Sequence, residues 1–190
     1  MLQVLREHIL RSVPQLVHEM GDILPYFSLE QFKRAAILLD ENSKADRLFF
    51  VCKGMLHLYY DHSGENHTIH FALENWWLTD YKSFPNTDNA RLLIAAVEDS
   101  IVAVIDKKSY DALLLKHPLL AVYFNDIHQR AYGAALSKQK TYATTSKADF
   151  YNYFKTTYPT LIQRVPESIF ASYMGVSLKT FKKIKAEHLS

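Results

Sequence analysis

The chain has 190 residues, 48% hydrophobic and 22% charged, a composition that supplies a packed core and is unlike a disordered segment. Only five glycines occur, with no G-x-x-x-x-G-K or G-x-G-x-x-G run, which excludes glycine-rich phosphate loops; the single cysteine, Cys52, excludes a disulfide scaffold, a CxxC pair and a cysteine-held cluster. The net charge of +2 hides a split, since residues 1–136 carry 13 Lys/Arg against 17 Asp/Glu (balance −4) and residues 137–190 carry 9 against 3 (balance +6). A basic tail behind a mildly acidic front points the tail toward a polyanion. The start MLQVLREHILRSVPQ lacks the features of a secretion signal, and no apolar run approaches membrane-spanning length. The expectation is a soluble, cytoplasmic protein without a membrane partner.

Residues 2–45 read as helical. Leu2, Leu5, Ile9, Val13, Leu16 and Met20 recur at helical steps, with Pro14 as a break. Ser28-Leu29-Glu30-Gln31 has the pattern of a capping start, followed by an apolar stripe of Phe32, Ala35, Ala36 and Leu39. Residues 46–105 change period. Leu48–Val51 is an apolar run, and the alternating segments around Leu56–Tyr60 and Thr68–Leu73 flank the turn Asp61-His62-Ser63-Gly64, a hairpin with a four-residue connection. Leu92–Val97 and Ile101–Ile105 flank a second tight β connection. Short strands with this punctuation predict a small barrel or jelly roll.

From residue 107 the pattern is helical again. Leu120, Phe124, Ile127, Ala131 and Ala134 keep a four-three step that predicts a seam between two copies of a long helix, the small alanines allowing close approach. Asp149–Tyr158 reads as one more helix, ended by Pro159.

The last 25 residues carry the strongest signal. Phe170, Ala171 and Met174 form the inner face of one helix, Gly175 accepts the turn, Val176 fills the angle, Ser177 caps a second helix, and Phe181 and Ile184 face inward on it. This is the spacing of a helix-turn-helix. Lys179, Lys182 and Lys183 stand on the opposite face of the second helix, flanked by Thr180 and Lys185. Together with Ser177 they are the candidate DNA-binding residues, because a cationic face on the second helix suits the major groove of double-stranded DNA. With Ser190 six residues past Ile184, the last turn of this helix is expected to fray.

An enzyme reading finds little. A cupin-type metal site needs histidines two apart on one strand face; His67 and His70 are three apart, and no converging metal set or G-x-S-x-G nucleophile turn exists. No catalytic residue and no metal ligand is assigned.

The order of these parts resembles the Crp/Fnr family of bacterial transcription regulators over roughly residues 20–190. The segments that carry the resemblance are LFFVCKGMLHLYY (Leu48–Tyr60), DHSGENH, FALENWW (Phe71–Trp77), DYKSF (Asp80–Phe84), AAVEDSIVAVI and RVPESIFASYMGV (Arg164–Val176), the last similar to the branch common in Bacteroidetes. The resemblance implies an α+β fold: N-terminal helices and a small jelly-roll-like double-stranded β-roll (1–118, an effector domain like those that bind cyclic nucleotides), a long dimerisation helix (119–145) and a helix-turn-helix domain (146–190). It implies a homodimer that reads a palindromic site, with RNA polymerase as a further partner.

Departures from the family pattern argue against cyclic AMP. Nucleotide-responsive members hold the ribose and cyclic phosphate with a Gly-Glu pair and an Arg-Ser-Ala run. Here the first place reads Glu74-Asn75-Trp76-Trp77-Leu78 and the second Asn89-Ala90-Arg91-Leu92-Leu93, with Arg91 one residue late, a slip that in a strand turns the side chain to the other face. No cofactor is expected. If the roll encloses a ligand pocket, Phe71, Trp76, Trp77, Tyr81 and Phe84 supply its walls, with His70 and Arg91 as polar contacts; the competing reading is that these aromatics fill the core. On the recognition helix, Leu178 and lysines stand where relatives place Arg with Glu or Ser, so phosphate contact outweighs base readout. The alternative function is a ligand-sensing or protein-interaction module that has lost sequence-specific DNA binding.

Overall fold

A computed structural model describes residues 1–187. The chain divides into two compact units: Met1–Tyr60 with His70–His128, and Asp61–Ile69 with the chain from Gln129 on. The fold is α+β.

Helix α1 (Leu2–Ser12) buries Leu5 and Ile9 and stops before Pro14, which opens a 3-10 turn over Pro14–His18. Helix α2 (Met20–Ile23) and a second 3-10 turn (Leu24–Tyr26) follow. The helix expected to start at Ser28 does not form. Ser28–Phe32 is strand β1, paired antiparallel with residues 100–104, and Ile37–Leu39 is β2. Non-local pairing overrides the local capping pattern here. Ala35, between the two strands, takes φ +66, which no helix continues, and its N–H bonds to Ala96 O at 2.8 Å.

Strands β3 (Arg47–Lys53), β4 (Leu56–His62), β5 (Glu65–Ala72), β6 (Trp77–Leu78), β7 (Leu93–Ala96) and β8 (Ser100–Asp106) complete two four-stranded sheets, in the orders β1-β8-β3-β6 and β2-β7-β4-β5. The β4–β5 hairpin exists, but its connection is two residues, Ser63 and Gly64, both with positive φ (57° and 82°). That geometry follows the right-handed strand twist more closely than the expected four-residue loop. The tight connection between β7 and β8 does not make a hairpin. β7 pairs with β2 and β4, whereas β8 pairs with β1 and β3, so the chain changes sheet there.

The core of the first unit gathers Leu5, Ile9 and Ile23 with Phe50, Trp77, Ile105, Tyr123 and Phe124. Three polar side chains meet at its centre: Trp77 Nε1 donates to Tyr123 Oη at 2.9 Å, and His8 Nδ1 lies 2.7 Å from the same oxygen. Helix α3 (Lys107–Lys116) is capped by Asp106, which accepts Ser109 N–H at 2.8 Å. After it comes the 26-residue α4 (Leu119–Thr144).

The second unit holds α5 (Lys147–Thr157), α6 (Pro159–Arg164), α7 (Glu167–Met174) and α8 (Leu178–Glu187). Pro159 ends one helix and also opens the next, at the first helical position where its missing N–H costs nothing. The expected fraying beyond Glu187 lies outside the described residues.

Candidate nucleic-acid interface and effector loop

The helix-turn-helix is built as its spacing predicts. Gly175 sits at φ 66°, ψ 40°; its N–H bonds to Ser172 O (2.9 Å) and Val176 N–H to Ala171 O (3.1 Å), the paired bonds that close a helix through a left-handed residue. A Cβ at position 175 would meet Tyr142 Oη at 2.4 Å, the movable tip of a side chain, so it is the left-handed φ that calls for glycine here. Ser177 caps α8 by accepting Thr180 N–H at 3.2 Å. Phe181 and Ile184 are buried, and Phe181 packs on Tyr151 and Phe170 with ring centroids 5.7 Å apart in each pair.

The other face of α8 is open. Lys179, Lys182 and Lys183 are exposed, as are Ser177, Leu178 and Thr180. Lys185 differs from its neighbours. Its Nζ donates to Glu167 Oε1 at 2.7 Å and staples α8 to the start of α7, holding the Glu167 carboxyl below its usual range. Of the four α8 lysines singled out in the sequence, three therefore present an outward charge and one braces the motif.

Sequence reasoning missed the contacts that fasten this motif. Lys147 Nζ lies 3.4 Å over the Tyr142 ring, and Lys138 Nζ lies 3.7 Å over Tyr173 while donating to Ile69 O at 2.6 Å. Burial lowers Lys138 to about 8. Ser172 Oγ donates to Asn66 O (2.6 Å) and accepts Thr68 N–H (2.9 Å). None of these pairs has a local spacing signature.

In the first unit the loop between β6 and β7 is organised by Asp80, which is 1% exposed. Its carboxylate accepts N–H from Lys82 (3.1 Å), Ser83 (3.3 Å) and Arg91 (3.0 Å) and O–H from Ser83 (2.9 Å). The donors of this loop thus converge on an anion that the chain itself provides. Arg91 precedes β7 rather than lying in it, so strand alternation does not set its direction; its side chain is exposed. Glu74, in the segment read as the first ribose-phosphate place, closes a turn by accepting Gly54 N–H at 2.9 Å.

The aromatic residues proposed as pocket walls separate. Trp77 and Phe84 belong to the main core, Phe84 packing on Tyr110 at 5.6 Å. His70 stacks on Trp76 at 5.9 Å, Phe71 is buried beside His57 (6.5 Å), and Tyr81 meets His128 edge-on at 5.2 Å. His57 also stacks on Tyr59 at 4.6 Å, and burial lowers it to about 4. A cavity of about 310 Å³ lies elsewhere, lined by Tyr26, Ser28, Glu30, Arg47 and Asp106 among others, with Glu30 and Arg47 already ion-paired. Among the described residues no three His, Cys, Asp or Glu side chains are grouped to hold a metal ion, and no helix is long and apolar enough to cross a membrane.

The predicted seam on α4 splits in the same way. Leu120 and Phe124 are buried in the core of the first unit and Ile127 packs against it, whereas Ala131 and Ala134 are exposed. The large apolar side chains exposed on α4 are Leu119, Val122, Tyr132, Leu136 and Tyr142. Val122 and Leu136 are two heptads apart, each two residues beyond a seam position (Leu120 and Ala134).

Residues 29–117 match the family model of the cyclic nucleotide-binding domain. Over about 90% of its length the chain is similar in fold to solved structures of transcription regulators, among them one of the Crp/Fnr family. It is similar to a Crp/Fnr-family regulator from Eubacterium rectale (TM-score 0.69, 13% identity, 90% of this chain and 82% of that one). It is also similar to the c-di-GMP responsive global regulator CLP of Xanthomonas campestris (TM-score 0.70, 12% identity, 90% of each chain). A mutant of CooA from Carboxydothermus hydrogenoformans gives a TM-score of 0.68 at 13% identity, over 90% of this chain and 83% of that one. No curated protein sequence matches the chain significantly.

Proposed function

We propose that this chain is a cytoplasmic, DNA-binding transcription regulator that works as a homodimer and whose β-roll does not respond to cyclic AMP. The observation that carries the reading is the three-lysine outer face of a capped, well-packed second helix in a helix-turn-helix. The exposed apolar residues Leu119, Val122 and Leu136 on α4 support pairing with a second copy, which would set two recognition helices on a dyad-symmetric site. The Asp80-centred loop supports the negative claim about cyclic AMP. Its N–H donors are already engaged by a buried carboxylate, so a cyclic phosphate would have to displace a like charge. RNA polymerase contact fits the same role.

The test is selection of bound sequences from random duplex DNA. A dyad-symmetric consensus is expected; the absence of any enriched sequence would overturn the reading in favour of a module that no longer binds DNA. In parallel, cyclic AMP at micromolar concentration is expected to leave the melting temperature unchanged, because only a ligand that prefers the folded state raises it. A clear rise would reverse the claim about the loop.

A further inference from the structure

We infer that the first turn of α8 reads the 5-methyl groups of thymine, with Leu178 as the reading side chain. This deepens the DNA-binding reading and rests on it. In a helix-turn-helix the N-terminal residues of the second helix meet base edges in the major groove. The exposed residues at that end are Ser177, Leu178, Lys179 and Thr180. Two of them spend their hydroxyls on the cap, which leaves only the small Thr180 methyl beside Leu178 as apolar surface: the Ser177 and Thr180 hydroxyls bond each other at 2.9 Å, and Ser177 Oγ accepts the Thr180 N–H. The helix, LKTFKKIKAE, contains no Arg, Asn or Gln, the residues whose forked groups read guanine or adenine. Lys179, Lys182 and Lys183 end in single ammonium groups, suited to phosphate oxygens or to one acceptor on guanine.

Leu178 is left. It is 40% exposed at the start of α8, while Phe181 and Ile184 of the same helix are 3% and 8% exposed and make its core contact. Leu178 is therefore not needed to hold the helix in place. The major groove offers one apolar group that complements it, the thymine methyl. Burial of a single methyl strengthens binding by about fourfold. The operator is expected to carry thymine at equivalent positions in both half-sites.

Duplexes enriched from random DNA by the full chain are resynthesised with deoxyuridine in place of one thymidine at a time, which removes one methyl and leaves every hydrogen-bonding edge intact. Fluorescence anisotropy is expected to show an affinity loss of about fourfold at one or two positions per half-site. The Leu178→Ala chain should bind more weakly and be indifferent to the same replacements. Its dependence on salt should stay unchanged, with a log–log slope of about −5 for six lysine–phosphate contacts in a dimer. Leu178→Arg should move the enriched base at that position from thymine to guanine. Tolerance of deoxyuridine at every position would overturn the inference and leave the DNA-binding reading standing. Failure to enrich or bind any duplex would remove both.

Discussion

Helix α8 and the β6–β7 loop each depend on one oxygen side chain that accepts from the backbone, and they use it in opposite directions. Ser177 starts α8 and leaves Lys179, Lys182 and Lys183 facing solvent. Asp80 draws in four donors and is itself buried. One region holds charge outward, and the other satisfies its polar groups from within. The contrast separates an exposed cationic face from a loop whose donors are met by the chain's own carboxylate.

The largest effect that would break this contrast is on DNA affinity. Replacing Lys179, Lys182 and Lys183 together by alanine should lower duplex affinity by about a thousandfold at moderate salt and bring the salt slope close to zero. Affinity within tenfold of the parent chain would move the interface elsewhere. Next comes the loop. Asp80→Ala leaves the N–H groups of Lys82, Ser83 and Arg91 and the buried Ser83 hydroxyl without their acceptor and should cost about 4 kcal/mol in urea unfolding, with Asp80→Asn, which keeps one acceptor oxygen, costing about half. A loss under about 1 kcal/mol would mean that water replaces the carboxylate at little cost.

Smaller than the loss from Asp80→Ala is a pH dependence confined to the first unit. Burial lowers His57 from 6.5 to about 4. Between those values the unfolded chain holds the extra proton, so stability falls as pH drops through the window and the cost is complete below pH 4. The contribution is on the order of 3 kcal/mol, and His57→Phe should remove it. Both tryptophans, Trp76 and Trp77, lie in the first unit and report its unfolding by fluorescence. Parallel pH profiles for the parent and His57→Phe would refute the assignment.

The same contrast explains what could be read from the sequence. The helix-turn-helix lies within residues 167–187, and its defining bonds, from Gly175 to Ser172 and from Thr180 to Ser177, span three residues each. Local spacing suffices to find them. The loop is held by Asp80 and Arg91, 11 residues apart, and β1 by a partner more than 60 residues away. Ser28–Gln31 carried a genuine capping pattern, and only the presence of β8 turned it into a strand. On α4, a single period marked two uses. Leu120 and Phe124 face the chain's own core, and the neighbouring register holds Leu119, Val122 and Leu136 at the surface. Periodicity reports that a stripe is apolar and is silent on whose atoms cover it. Lys185 shows the same limit for charge, since Glu167, which pairs with it, lies 18 residues upstream.

Strand β5 is the last in its sheet, so its outer rim would ordinarily display unpaired backbone groups that invite a strand from another molecule. A single hydroxyl, from Ser172, occupies two of those groups, the Thr68 N–H and the Asn66 carbonyl. Withdrawing α7 from the hairpin would bare both at once. Ser172 thus acts as a guard against edge-to-edge association, and a chain without it should be the more prone to self-association on storage.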